Sequence, residues 1–351
     1  MSRILVVLPN WFGETLFTTP FFRALRQRRP HAFIAALGWP RCHDVLRHNP
    51  RINELLAYDE RGAHRGLGGW WRLITTLRRH HFETAVILRR SLSRTVLLCL
   101  AGIPQRIGFA NAKSGWLLTE AVPLPLAPQH KALSYLSLLA AFPSTTDAAH
   151  GNGIGQETHR CEYVVTDAER QQARQWLAAE GIASPRPLVI LHPGANWPHK
   201  RWAPASFAAA GDQLAQAHAA RIVITGGPED VALADSVRRQ MRHPAMVLAG
   251  RTTFRQLAAC LSYAQLVISN DTGVLHLAAA LARPIVALYG PTSPTLTGPL
   301  GDRRTTTVLH HPDCCPRVPC VEPEQPPHPG MGSITVDEVV AAASQLLGTS
   351  A

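Results

Sequence analysis

The feature that most constrains this chain is an alternation of short apolar runs with longer segments of helical periodicity. Ile4–Leu8, Ala32–Leu37, Glu54–Tyr58 and Thr84–Leu88 are compact runs of strand character. Between them lie Thr15–Arg29, Cys42–His48 and Trp70–His80. In the first of these, Leu16, Phe17, Phe21, Phe22 and Leu25 recur near the spacing of one helix face. Strands separated by helices of this length cannot close as hairpins. They need crossovers, which predicts a parallel sheet covered by helices on both faces.

The pattern then runs a second time. Leu188–Leu191, Arg221–Thr225, Met246–Leu248, Leu266–Ser269 and Ile285–Tyr289 read as strands. Ala203–His218, Ala232–Met241, Phe254–Tyr263 and Val274–Leu281 read as the helices between them. The 351 residues suit two domains. The turn-rich segment Pro143–Gly155 reads as a loop near their boundary. Its Gly151, Gly153 and Gly155 do not make a dinucleotide fingerprint, because no strand precedes them and the third glycine is misplaced.

Charge is distributed unevenly over these halves. Residues 1–150 hold 19 Lys and Arg against 8 Asp and Glu, while residues 151–351 hold 16 of each. The whole surplus of 11 therefore sits in the first half, which suggests an anionic partner there. Nucleic acid is not favoured as that partner, since no recognised binding motif is present and the aromatics are not interleaved with the basic residues. Seven cysteines, an odd number in a long chain, argue for reduced thiols rather than a disulfide framework. The apolar stretches are too short to span a bilayer, and Ile4–Leu8 is too short for a signal-peptide core. A cytosolic protein is the expectation.

In doubly wound sheets ligands bind beyond the carboxyl ends of the strands, and the chemically informative residues lie there. Strand Leu266–Ser269 runs into Asn270-Asp271-Thr272-Gly273 and then a helix. Asp271 or Thr272 can cap that helix, Gly273 lets a phosphate approach the backbone, and His276 follows one turn in. An ordinary capped helix would look the same. The second strand end is His192–Trp202, with Ala195, Asn196 and Lys200. The chain uses arginine 32 times and lysine three times, so Lys200 beside Arg201 points to a need for a compact ammonium. A third strand end, Thr225-Gly226-Gly227-Pro228-Glu229-Asp230, has glycines that permit close ligand approach. Its Glu229 can bond sugar hydroxyls or simply favour a helix start. In the first half, Ile4–Leu8 leads into Pro9-Asn10-Trp11-Phe12-Gly13-Glu14, which places a carboxylate where a general base is useful.

Together these segments resemble the ADP-heptose:lipopolysaccharide heptosyltransferases of glycosyltransferase family 9, over about residues 3–345. The pieces that carry the resemblance are Leu8–Glu14, Ala101–Gly108, Gly115–Glu120, His192–Ala195 with Lys200–Trp202, Gly250–Thr253, Asn270–His276 and Tyr289–Pro294. The loop Leu8–Glu14 looks most like heptosyltransferase II and its relatives.

The resemblance implies an α/β fold of GT-B type, with two Rossmann-like doubly wound parallel-sheet domains facing a cleft. Residues 1–160 would form the basic acceptor-binding domain and 161–334 the ADP-sugar-binding domain, with 335–351 a C-terminal helix packing back on the first. It implies inverting transfer of heptose from ADP-heptose to the lipopolysaccharide inner core, with no metal or other cofactor, at the cytoplasmic face of the inner membrane. Glu14 falls on the catalytic carboxylate and Lys200 on the phosphate-binding lysine. Ala195, Asn196, Glu229, Asp271, Thr272, Gly273 and His276 fall on the donor side. The acceptor side takes Asn10, Trp11, Gly13, Arg61, Arg89, Arg90 and Arg106, with Arg65, Arg72 and Arg94 further candidates for anionic groups and the membrane surface.

Three departures from the family pattern stand out. Glu14 replaces the usual Asp after the loop glycine. Leu88-Arg89-Arg90-Ser91 replaces a Leu-Pro-Asn-Ser type of segment on the acceptor side. Of a frequent group of four C-terminal cysteines only Cys314, Cys315 and Cys320 are present, with His310, His311 and His328 nearby, and loop cysteines are favoured over a zinc site. Two other functions stay open: a same-fold glycosyltransferase acting on a protein acceptor, and a non-catalytic relative that binds sugar nucleotide or lipopolysaccharide.

Overall fold

The computed structural model describes residues 1–142, 159–182, 186–302, 304–314, 320 and 328–348. The chain divides after Val164 into two compact units, 1–164 and 165–351. The loop Pro143–Gly155 and Cys315 lie outside the described residues.

Unit 1 runs β1 (Arg3–Val7), α1 (Phe12–Leu16), α2 (Thr19–Arg28), β2 (Phe33–Gly38), α3 (Pro40–Leu46), β3 (Glu54–Ala57), α4 (Gly66–Arg79), β4 (Thr84–Ile87), α5 (Leu92–Leu100), β5 (Gln105–Phe109), β6 (Glu120–Val122) and α6 (Lys131–Ser137). Its strands form one parallel sheet in the order β3-β2-β1-β4-β5-β6. Unit 2 runs α7 (Asp167–Ala179), β7 (Leu188–His192), α8 (Pro204–His218), β8 (Arg221–Ile224), α9 (Val231–Gln240), β9 (Ala245–Val247), α10 (Phe254–Leu261), β10 (Leu266–Asn270), α11 (Gly273–Ala280), β11 (Ile285–Tyr289), α12 (Pro294–Thr297), β12 (Thr306–His310), α13 (Pro329–Gly332) and α14 (Val336–Gly348). Its sheet is also parallel, in the order β12-β11-β10-β7-β8-β9.

Each sheet thus has the doubly wound order in which the chain starts at the centre, works to one edge, and returns to work to the other. The central strands are covered on both faces, so they read as unbroken apolar runs: β7, β10 and β11 are buried at every position. The switch of direction falls between β1 and β4 in unit 1 and between β7 and β10 in unit 2.

Two expectations need correction. The segment Thr15–Arg29 is two helices rather than one. Pro20 has no N–H to give the Leu16 carbonyl, and the Thr19 hydroxyl donates to that carbonyl instead at 2.8 Å. The chain therefore restarts as α2 with Pro20 in its first turn, where no N–H is required. The C-terminal helix, expected on the first domain, packs within unit 2. Val339, Ala343, Leu346 and Leu347 of α14 join Leu214 of α8 and Val286 and Leu288 of β11 in one core. Trp202 donates its indole N–H to Ile334 O at 2.9 Å, and His218 meets the Ser344 hydroxyl at 2.8 Å. Burial of the apolar stripe of α14 against α8 decides its place.

Candidate active site

In unit 2 three strand-end loops converge on one carboxylate. Asp271, just past β10, is buried; its Oδ2 accepts from Lys200 Nζ at 2.6 Å and from the Thr292 hydroxyl at 2.8 Å. Its Oδ1 faces His276 Nε2 at 3.7 Å. Lys200 arrives from the loop after β7 and Thr292 from the loop after β11. Burial by itself would raise the Asp271 pKa. The His276 and Lys200 contacts outweigh it and hold the carboxyl well below the usual carboxylate range. Asp271 is therefore an anion that fixes a lysine at the switch point of the sheet, where this class of fold takes its ligands.

Thr272 stands at the N-cap of α11, but no side chain bonds the first-turn N–H groups, so the cap that the sequence allows is not used. The Thr272 hydroxyl lies 3.4 Å from that of Ser269, and the Asp271 carboxylate is turned to Lys200 and Thr292. The first-turn N–H groups beginning at Gly273 are thus not taken by a side-chain cap, and the positive end of the helix lies next to Lys200. A diphosphate suits such a place.

The loop after β7 is braced from two sides. Arg201 donates to Ala195 O from Nε at 3.0 Å and Nη2 at 2.7 Å. Asn270 Nδ2 donates to Pro193 O at 2.8 Å, and Asn270 Oδ1 accepts from Trp202 N at 3.1 Å. Asn196 stays exposed at its tip. Two glycines of this region make room for a buried neighbour. A Cβ on Gly194 would lie 2.3 Å from Asp230 Oδ2, and one on Gly226 would lie 2.7 Å from Asp230 Cβ. They make room for the buried Asp230, which accepts from Gly227 N at 3.1 Å and pairs with Arg201 at 3.5 Å. Glu229 is exposed, and its charge reaches His192. His192 ends β7 buried, with Nδ1 3.0 Å from the Thr225 hydroxyl; burial pushes its pKa down to about 4, so the ring is neutral at pH 7.

In unit 1 the loop after β1 carries Asn10 and Trp11, and Gly13 and Glu14 follow in α1. Glu14 lies in the first turn of α1 and pairs through Oε1 with Lys131 Nζ at the start of α6. Asn10 is clamped: its side-chain oxygen accepts from Arg94 and its carbonyl from Arg41 Nη2 at 2.9 Å. Gly13 O accepts from Phe17 N within the α1 turn. Trp11 is 49 % exposed, and the Arg41 guanidinium sits 5.0 Å from its ring and 4.6 Å from that of Trp39. Arg61 lies 5.2 Å from the other ring contact of this stack, Trp39. The fold thus interleaves guanidinium and indole groups that are dispersed along the sequence. Arg89 and Arg90 project exposed at the end of β4, across the switch point from this loop.

Three arginines expected to meet an acceptor are otherwise engaged. Arg94 is 3 % exposed and donates to Leu8 O, Asn10 and Glu60, so it supports the loop from beneath. Arg106 gives its N–H groups to the carbonyls of Leu117, Ile103 and Pro104. Arg72 donates to Ala63 O at 2.6 Å, while Arg61 and Arg65 stay exposed. In each engaged case an unpaired backbone carbonyl claims the guanidinium. Lys131, Arg41, Trp39 and Thr292 were not singled out as site residues in the sequence. The rarity of lysine was the one available signal for Lys131. Cys314 is exposed, and no group of three His, Cys, Asp or Glu side chains gathers as a metal site among the described residues.

Two parallel-sheet units of this order, one with a fixed lysine beside an open helix end, define a Rossmann-like class of protein with a place suited to an anionic ligand. Comparison with known proteins narrows this. The model of glycosyltransferase family 9 (heptosyltransferase) matches residues 70–327. The chain is 28 % identical over 306 residues to lipopolysaccharide heptosyltransferase 2 of Salmonella typhimurium, covering 86 % of each. It shares its fold with a family 9 glycosyltransferase from Veillonella parvula (TM-score 0.84, 24 % identity, 99 % and 97 % of the chains). It also matches the ADP-heptose lipopolysaccharide heptosyltransferase II of Escherichia coli (TM-score 0.81, 24 % identity, 99 % of both chains). The chain belongs to glycosyltransferase family 9, and its fold is of the GT-B type found in these enzymes.

Proposed function

We propose that the protein transfers heptose from ADP-heptose to the lipopolysaccharide inner core with inversion at the anomeric carbon. The observation that carries this reading is the Lys200–Asp271 pair beside the uncapped start of α11. A fixed ammonium and a helix dipole are suited to the charge that grows on a departing diphosphate. The names of the relatives supply the sugar and the acceptor class.

In the proposed step the acceptor hydroxyl gives its proton to the Glu14 carboxylate. The acceptor oxygen bonds the anomeric carbon as the bond from that carbon to the diphosphate oxygen breaks. The electron pair of that bond leaves with ADP, whose charge Lys200 and the α11 N–H groups balance. Trp11, Arg41, Arg61, Arg89 and Arg90 present a cationic and aromatic surface to the anionic acceptor. Arg106, held by carbonyls, shapes the loop near Leu117 instead. No resident metal is needed for this route, so transfer should persist in EDTA.

The excess of basic residues in unit 1 also supports peripheral attachment to the anionic cytoplasmic face of the inner membrane. No helix among the described residues is long and apolar enough to cross a membrane. The decisive experiment incubates the protein with ADP-heptose and truncated inner-core acceptors and weighs the products. Glu14→Ala should bind ADP as the wild type does and transfer no sugar. Near-normal turnover by that variant removes Glu14 as the base.

A further inference from the structure

Two of the chain's three lysines end on carboxylates beside strand-end loops: Lys200 on Asp271 and Lys131 on Glu14. The second pair joins residues 117 positions apart, wholly within unit 1. Lys131 opens α6, and the residue before it anchors that opening. His130 Nδ1 accepts from Ala132 N at 3.1 Å, and its ring meets Phe17 edge-on at 4.7 Å. Phe17 closes α1, the helix that carries Glu14. Tyr135 lies one turn further along α6, on the face it shares with Lys131. Its buried hydroxyl is pushed far above its usual pKa, first by burial and then by the Glu14 charge.

The ion pair has little to offer the stability of the fold. Its side chains are 44 % and 20 % exposed, and pairs at such sites contribute about 0–1 kcal/mol. Its geometry has a more specific use. Lys131 engages Oε1 only, and Oε2 takes no hydrogen bond from the described residues. Glutamate has one more rotatable bond than aspartate, so a glutamate base has more freedom to lose before it can act.

We propose that Lys131 is a positioning residue for Glu14, holding Oε1 so that Oε2 is presented to the acceptor hydroxyl. This rests on the reading of Glu14 as the base. The hydroxyl proton passes to Oε2; Lys131 keeps its three protons and donates none. A charged group that donates to one oxygen restrains the carboxylate and leaves the other oxygen open.

The test compares wild type, Lys131→Met, Lys131→Arg and Glu14→Gln with ADP-heptose and a truncated inner-core acceptor. An ångström of misplacement is enough to lower kcat of Lys131→Met by about 10- to 100-fold, with both KM values and the melting temperature unchanged. Lys131→Arg, which keeps the charge, should recover most of the loss. The proposal is overturned by wild-type kcat in Lys131→Met, by a loss confined to the acceptor KM, by a kcat loss that tracks a lowered melting temperature, or by failure of Lys131→Arg to recover. Glu14→Gln separates the two levels. An active Glu14→Gln removes the base itself, whereas an inactive Glu14→Gln beside an unaffected Lys131→Met removes only the role of Lys131.

Discussion

Replacing Asp271 by Asn keeps the shape of the side chain and removes its charge, so it isolates what the carboxylate contributes. Asp271 is buried and accepts from Lys200 at 2.6 Å and Thr292 at 2.8 Å. A hydrogen bond to a charged group is worth about 1.5–3 kcal/mol. The amide oxygen of Asn still accepts from Thr292, and Lys200 is partly solvated, so the expected loss is about 2 kcal/mol. Unit 2 spans residues 165–351, a size at which each kcal/mol moves the melting temperature by about 2–4 °C. Asp271→Asn should therefore melt about 4–8 °C below wild type at pH 7.

The pH dependence gives a second, independent check. The folded Asp271 carboxyl titrates well below its unfolded value of about 3.9. Its stabilisation is therefore fully present above that value and is lost as pH falls below it towards the folded pKa. The gap between wild type and Asp271→Asn should be constant from pH 7 to about 5 and close as pH drops below about 4. Thermal melts by circular dichroism across this range measure it. A melting temperature within 1 °C of wild type at pH 7, or a gap that widens on acidification, refutes the account of Asp271 as a buried anion that fixes Lys200.

Two further outcomes follow from the same unit. His192 binds a proton near pH 6.5 when unfolded but only near pH 4 when folded, so the unfolded state takes up more protons between those values and stability falls as pH drops through them. His192→Gln should flatten that limb of the stability curve, by on the order of 3 kcal/mol at its foot, and an unchanged limb in urea titrations rules the assignment out. Gly194→Ala drives a methyl into Asp230 Oδ2, with an expected cost of about 1–3 kcal/mol and weaker ADP binding as the braced loop shifts. Calorimetric ADP affinity and a melting curve equal to wild type would show that the loop yields freely.

The amino-acid sequence by itself determined the fold class and the strand ends at which chemistry lies. Period and run length depend only on near neighbours in the chain, so β1 and β7, α8 and the turn after β10 were legible from residues such as Leu5, Leu191 and Gly273. The edge strands β3 and β9 were read too, but β5 inside the first sheet and β6 and β12 at the edges were not; β6 has three residues and β12 no buried position to mark it as an apolar run.

The pairing of distant side chains was decided only in three dimensions. Lys200 and Glu14 stood out through residue type and place, but their partners are 71 and 117 positions away. The arginines show the same limit. Arg61 and Arg89 stay exposed, whereas Arg94 and Arg106 are claimed by carbonyls and a buried loop. A guanidinium carries the same five donors wherever it stands, and its sequence does not record which backbone groups the fold leaves unpaired. The C-terminal helix went to unit 2 for a related reason. The resemblance supplied the helix, but the surface that receives its apolar residues on α8 exists only once unit 2 has folded.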